Sequence, residues 1–221
     1  MHILIIGGGI SGLSCANHLI RHSNYQITII EEKAEIGHPQ TRPGKIIDKS
    51  LIDAYLNSPI QMGESGCRRP WVAKALAQDL SVQGATIILR TRVISTNPLE
   101  YSGAGPSIEN EFNIIVDTTK NNFSSKTTII SEMTDKLSNF KGGITTSNKN
   151  TYSPSISSSL SNDLIECWYL ESIPQIEGGW LERMEGTFSI DHGTIDASFE
   201  RGLRLAKSVL ELENQSSQQI A

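Results

Sequence analysis

Residues 2–31 read HILIIGGGISGLSCANHLIRHSNYQITIIE, and the division of this stretch decides the fold. Positions 2–6 are β-formers with no polar alternation, the pattern of a strand buried on both faces. Gly7, Gly8 and Gly9 end the run. A helix is expected from about Ser11, with Leu13, Ala16 and Ile20 on one stripe, until Ser23-Asn24 breaks it. Positions 26–31 (QITIIE) read as a second buried strand. Strand, glycine turn, helix and strand within about thirty residues make the βαβ unit of a parallel sheet. The turn spells G-x-G-x-x-G, from Gly7 through Gly9, Ile10 and Ser11 to Gly12. Gly7 permits the tight turn. Gly9 lacks a Cβ, so a pyrophosphate can approach the backbone. Gly12 lets the helix pack on the strand. The free N–H groups and positive dipole end of the helix face the phosphates. Glu31 ends the next strand 19 residues past Gly12, where its carboxylate can accept hydrogen bonds from an adenosine ribose and would repel a 2′-phosphate. The alternative is an ordinary βα turn that is rich in glycine.

Working outward, residues 34–67 carry Gly37, Pro39, Pro43, Gly44, Pro59, Gly63 and Gly66, so long loops are expected, with a short helix within 46–56. Pro70 suits the first turn of a further helix, carried by Val72, Leu76 and Leu80 and ended by Gly84. Strands are expected at 85–89, 92–95 and 111–116. Between 145 and 162, 13 of the 18 positions are Ser, Thr or Asn, which reads as a loop or linker. Positions 164–170 read as a strand. Thr194 suits the N-cap of a last helix, with Asp196 in its first turn and Phe199, Leu203, Ala206 and Leu210 along its apolar stripe. From Glu213 onward the chain is expected to fray.

Composition narrows the classes. A chain of 221 residues favours one domain, or one domain with a small insertion. The net charge is −5 and no run of five Lys or Arg occurs, which argues against a nucleic-acid partner. Cys15, Cys67 and Cys167 are far apart and odd in number, so neither a disulfide framework nor a zinc site is expected; a reducing cytosol and a cytoplasmic location fit best. The apolar N-terminus lacks the basic flank of a signal peptide, and no stretch of 18 apolar residues could form a transmembrane segment.

At this point the segment from MHILIIGGGISGLSCANHLI to ITIIEEKAEIGHP resembles the start of FAD-dependent oxidoreductases of the two-dinucleotide-binding-domain class, most of all the geranylgeranyl reductase and aromatic hydroxylase branch. EEKAEIGHP is similar to that branch's acidic strand end and G-x-P loop, which places Glu31, Glu32 and Lys33 among the implied cofactor contacts. CRRPWVAKALAQDLSVQGATIILRTRV resembles the family's Arg-led helix and the strand after it. Arg69 matches the arginine at the helix start, and Val93 the adenine-side backbone contact. EFNIIVDTT resembles the strand leading to the family's second turn, which brings in Thr118. EGTFSIDHGTIDASFERGLRLAKSVL is similar to the last FAD-contacting element: Asp191 matches the acidic residue near the ribityl chain, and Gly193, Thr194 and Ile195 would aim backbone N–H groups at the pyrophosphate or the flavin edge. Arg42, in the loop after the G-x-P turn, would neutralise phosphate or reduced flavin, with exposed loop charge as the bland alternative.

There are departures from the family pattern. Gln40-Thr41-Arg42 stands where that branch often has a cysteine, no Gly-Asp pair occurs in the chain, and Lys120 stands where the second turn favours glycine. About 70 residues separate Thr119 from Asp191, short for the family's substrate domain. The resemblance covers 1–45, 66–120 and 184–211.

Other candidates are weighed and mostly set aside. Gly103-Ala104-Gly105-Pro106 lacks the third glycine of a second fingerprint. Ser11 misses G-x-S-x-G by one residue. His18 and His22 are better read as an outer helix face than as metal ligands, and no metal is expected. Cys67 beside Arg68 and Arg69 is either a reactive thiol or a plain loop cysteine. Trp168, Tyr169 and Trp180 either wall a pocket or belong to the core.

The expected fold is α/β: a Rossmann-like FAD/NAD(P)-binding domain with a mainly parallel sheet, spanning 1–221. Its second layer is reduced, built from 95–112 and 164–190, with a shortened insert at 121–183. The expected function is a flavin-dependent oxidoreductase that binds FAD and transfers a hydride to or from a small-molecule or lipid substrate; the resemblance implies unsaturated isoprenoids or small aromatic or amine compounds. A homo-oligomer or a partner subunit covering the flavin is part of that expectation. The alternatives are a non-catalytic nucleotide-binding subunit, and NAD in place of FAD.

Overall fold

The structure is a computed structural model that describes residues 1–57, 59–108, 111–119, 123, 128–131, 136–149 and 152–218. In chain order its first elements are β1 (His2–Ile6), α1 (Ile10–His22), β2 (Gln26–Ile30), α2 (Lys49–Asp53), α3 (Arg69–Val82), β3 (Thr86–Ile88), β4 (Thr91–Thr96), β5 (Leu99–Gly103) and β6 (Ile114–Asp117). There follow β7 (Thr128–Ser131), β8 (Ser138–Thr146), β9 (Ile156–Ser159), β10 (Leu164–Leu170), β11 (Glu182–Phe188) and α4 (Ile195–Gln218). The chain divides into two compact units: Met1–Ile36, Leu76–Met133 and Phe199–Ala221 form the first, Gly37–Ala75 and Thr134–Ser198 the second.

In the first unit β1 is buried from Ile3 to Ile6, so a strand must cover each of its edges and a layer each of its faces. The sheet order is β3-β2-β1-β6-β7, and every pairing is parallel. This is the expected α/β class. The chain moves from β1 outward through β2 to β3, then returns to the other side of β1 for β6 and β7. The strand order therefore reverses between β1 and β6, the place where open parallel sheets bind their ligands. Leu4, Ile6, Ile30, Val93 and Ile115 form one apolar cluster of this unit.

Helix α4 meets α1 at a crossing with no space for a side chain. An ideal Cβ on Gly202 would fall 2.0 Å from Ser14 Oγ and 2.3 Å from the Ser11 carbonyl oxygen. Ser14 Oγ donates to the carbonyls of Ser11 and Phe199, both at 3.3 Å. At the far end Tyr25 Oη donates to the Glu213 carboxylate.

The second unit is an antiparallel sheet in the order β11-β8-β10-β9. Its core is Phe140, Ile144, Ile156, Leu160, Trp168, Met184 and Phe188. Phe140 stacks on Phe188 at 4.2 Å, and Trp168 meets Phe188 edge-on at 5.4 Å. Gly142 lies opposite Trp168 and Met184 in the register, and a Cβ there would fall within 2.8 Å of the indole. The edge strand β9 is covered: Ser159 N–H donates to Ser65 Oγ at 2.9 Å, and Ser65 N–H to the Ser159 carbonyl at 3.4 Å.

Several local expectations change. The described residues of 95–112 do not build the second layer. Within them β5 pairs with β4 in the first unit, because only Asn97 and Pro98 separate the two strands and the chain must turn straight back. The stretch 145–162 is more than a loop: β8 runs on to Thr146, and the serine-rich β9 alternates buried and half-buried positions against β10. The helix expected within 46–56 is only Lys49–Asp53, started by Asp48 accepting from Ser50 N–H at 2.9 Å. α4 continues past Glu213 to Gln218. Lys120 and the middle of the Ser/Thr/Asn-rich stretch, residues 150–151, lie outside the described residues. Among the described residues no helix is long and apolar enough to cross a membrane.

Substituting Gly202→Ala puts a methyl against backbone atoms of α1 that cannot swing aside. The expected cost is about 2–3 kcal/mol of unfolding free energy, read as a lower urea midpoint with an unchanged slope.

Candidate cofactor-binding site

The glycines that end β1 meet three different constraints. Gly7 has φ +106°, a conformation that L side chains rarely adopt, and a Cβ there would fall 2.6 Å from Thr118 Oγ1. Gly12 has ordinary helical geometry but no space: its Cβ would fall 2.0 Å from the Gly7 carbonyl oxygen. Gly9 is exposed, with extended backbone at φ −75° and ψ 173°, and a Cβ on it would meet nothing within 4 Å. The protein's own packing explains glycine at 7 and 12. At 9 it does not, and a ligand pressed against the backbone would. Gly9 is also the N-cap of α1 and makes no side-chain cap hydrogen bond, so the first-turn amides are left to an outside acceptor. The side chains of Ile10 and Ser11 are buried there, so what these residues can offer outward is backbone N–H.

Glu31 is fixed at the end of β2. Gly8 N–H donates to its Oε2 at 2.7 Å, and Lys33 N–H to its Oε1 at 2.8 Å. Each oxygen keeps a further lone pair for a hydroxyl donor. Glu32 and Lys33 are exposed and pair with each other at 2.7 Å. The Val93 side chain is in the core cluster, which leaves only its backbone for the expected contact. Thr118 closes the turn from the other side: its Oγ1 donates to the Ile6 carbonyl at 2.8 Å and to the Gly7 carbonyl at 3.3 Å. Gly7, Gly9, Ile10, Ser11, Gly12, Glu31 to Lys33, Val93 and Thr118 thus all belong to the first unit.

The remaining predicted residues belong to the second unit. Arg69 is buried. Its Nη1 donates to the carbonyls of Pro43 at 2.9 Å and Gly193 at 3.1 Å, and its Nη2 to Ser198 Oγ. Burial, and secondarily Arg42, pull its pKa down to about 9, so it is still charged at neutral pH. It acts inside the unit as a brace on the residue just before Thr194. Gly193, Thr194 and Ile195 are buried, and Ile195 N–H is committed to the Lys45 carbonyl at 2.9 Å, not aimed outward. Thr194 caps α4, accepting from Ala197 N–H at 3.2 Å. Asp191 is exposed and Arg42 half-buried. Cys67 is not the reactive thiol: it is 1% exposed, and burial pushes its pKa up to about 12, with Glu166 adding to the rise. Trp168 is core.

Two carboxylates of this unit escaped the sequence reading. Glu166 is fully buried in β10 and accepts from Gly44 N–H at 2.9 Å, Gln40 Nε2 at 2.9 Å and Trp168 Nε1. Burial raises its pKa, outweighing the donors from Trp168, Gly44 and Gln40, which lower it. The signal was present as a lone acid two residues before a tryptophan in an apolar strand. Asp196, read only as a first-turn acid, accepts from Ile47 N–H at 2.8 Å and Asp48 N–H at 2.7 Å. Together with Arg69, these acids hold the chain from Pro43 to Asp48 by its own backbone, and Glu166 also holds the Gln40 side chain.

The geometry of the β1 turn is that of a dinucleotide fingerprint. Residues 2–69 match the model of the FAD dependent oxidoreductase family. The FAD-dependent match spans β1, the glycine turn, Glu31 and the loop that Glu166 holds. No curated protein sequence matches the chain. Among solved structures, a geranylgeranyl bacteriochlorophyll reductase-like protein from Thermoplasma acidophilum is similar over 97% of this chain and 79% of its own, at 13% identity and TM-score 0.65. A flavoprotein/dehydrogenase from Cytophaga hutchinsonii is similar over 96% and 78%, at 11% identity and TM-score 0.59. Glycine oxidase from Bacillus cereus is similar over 95% of both chains, at 10% identity and TM-score 0.56. At these identities the likeness is one of fold.

The raised pKa of Glu166 gives a pH signature. Above about pH 4.3 the unfolded chain releases this proton while the folded chain keeps it. The folded state then binds more protons, and stability falls with rising pH up to the raised folded value. Urea titrations at a series of pH values are expected to show the wild-type advantage over Glu166→Gln shrinking as pH rises; a difference that grows would contradict the assignment.

Proposed function

We propose that the chain is a flavin-dependent oxidoreductase whose first unit binds the adenosine diphosphate part of FAD at the β1–α1 turn. One observation carries the reading: Gly9 is the fingerprint glycine that no internal contact requires, and it stands exposed at an uncapped helix N-terminus. The first-turn amides of α1, including those of Ile10 and Ser11, would donate to the pyrophosphate, and the helix dipole favours its charge. Glu31, held by two backbone amides, would accept from the ribose hydroxyls. Its own negative charge disfavours a ribose 2′-phosphate. Bound FAD would supply two-electron transfer, and the protein would supply binding and orientation. Since the redox chemistry belongs to the cofactor, a protein nucleophile is not required. A small organic molecule or a lipid is the substrate class this reading takes.

An absorption spectrum of the purified protein, with mass analysis of the released nucleotide, tests it. The expected result is a flavin spectrum and released FAD. A colourless protein that takes up NAD but not FAD would overturn it. In a second test, Gly9→Val is expected to fold, with at most a modest fall in melting from the poorer N-cap, because a Cβ there enters open space, yet to lose FAD retention. Normal binding by that variant would remove the phosphate-loop assignment.

A further inference from the structure

The β1 and β6 turns are one hydrogen-bonded piece. Thr118 N–H donates to the Ile6 carbonyl at 3.0 Å, while the Thr118 hydroxyl reaches both Ile6 and Gly7. The piece lies where the strand order reverses. A bare main-chain carbonyl at such a turn presents negative charge to an anionic dinucleotide. The Thr118 carbonyl instead carries a cation: Arg201 Nη1 donates to it at 3.2 Å. A charge-assisted hydrogen bond of this kind is about twice as strong as a neutral one.

Arg201 is not a loose surface arginine. It is half-buried on α4, between the two residues that lock that helix onto the first two turns of α1. Phe199 gives its carbonyl to Ser14, and Gly202 touches Ser11 and Ser14 with no space for a Cβ. α1 itself starts at the glycine turn. The place of the guanidinium is therefore set by backbone-level packing against the same helix whose N-terminus would hold the phosphates. All of these residues lie in the first unit.

We propose that Arg201 is a positioning residue for the cofactor: it masks the Thr118 carbonyl, ties the β6 turn to α4, and fixes a positive charge near the glycine turn for the pyrophosphate. This rests on the FAD reading of the first unit and adds to it a residue outside the G-x-G-x-x-G segment.

The test is titration of the flavin-stripped full-length protein with FAD at low and high salt, for wild type, Arg201→Gln and Arg201→Lys, with apo-protein melting recorded alongside. Arg201→Gln is expected to bind FAD at least about tenfold more weakly at low salt and to lose part of the salt dependence, with only a small fall in melting from the lost hydrogen bond to Thr118. Arg201→Lys, which keeps the charge, is expected to stay within about threefold of wild type. A purely structural role would lower melting and leave the salt dependence unchanged. Equal FAD affinity in Arg201→Gln and wild type would overturn the proposal alone. Wild-type protein that takes up no FAD would overturn the cofactor reading and the proposal together. If Arg201→Gln does not fold, Arg201→Lys decides: retained affinity supports the proposal, and a tenfold or greater loss at unchanged melting overturns it.

Discussion

At the carbonyl of Gly7 three elements converge. Gly12 of α1 lies so close that a single Cβ would overlap the oxygen, and the Thr118 hydroxyl at the end of β6 donates to it. Helix, first strand and fourth sheet strand are thus brought to one point. The other features of the first unit follow. With α1 pressed onto the turn, α4 can press onto α1 only through a glycine, and Arg201 comes to the β6 turn as a result.

The second unit solves a different problem. Its segment from Gln40 to Asp48 contains Pro43 and Gly44 and forms no helix or sheet of its own until α2, so its backbone groups need partners from elsewhere. The backbones of Ser65, Cys67 and Ile195 provide some, and three ionisable side chains provide others. Glu166 takes the Gly44 amide, Arg69 the Pro43 carbonyl, and Asp196 the amides of Ile47 and Asp48. Burying such groups is costly unless each is fully hydrogen-bonded. Here the cost is offset by holding an irregular loop rigid. A loop braced in this way can present Arg42 at a fixed place.

The legible part of this protein was local. The parallel βαβ unit could be read because its signals, an unbroken apolar strand, three glycines and an apolar helical stripe, all fall within thirty residues. The tight turn at Gly7 and the close packing at Gly12 were also readable, since each has a steric cause. The antiparallel sheet was harder. β9 is the sequence ISSS, and nothing in its composition separates it from a linker; it becomes a strand because β10 offers it a partner. Arg69 matches a cofactor contact by resemblance, yet in the structure its Nη atoms donate to Pro43, Gly193 and Ser198. That outcome depends on residues 26 to 129 positions away and leaves no trace in the local sequence. Glu166 could have been singled out, because an acid in an apolar strand must find partners.

The covering of β9 has a consequence for the protein as a material. A sheet ending in an open row of amides is a template on which another chain can add a strand. Here the outer amide of Ser159 is already taken by Ser65, and a Cβ on Gly63 would fall 2.3 Å from the Ser159 carbonyl oxygen, so the strap lies directly on that edge. The short hydrophilic segment at Gly63 and Ser65 thus occupies the place beside Ser159 where another chain would have to add its strand.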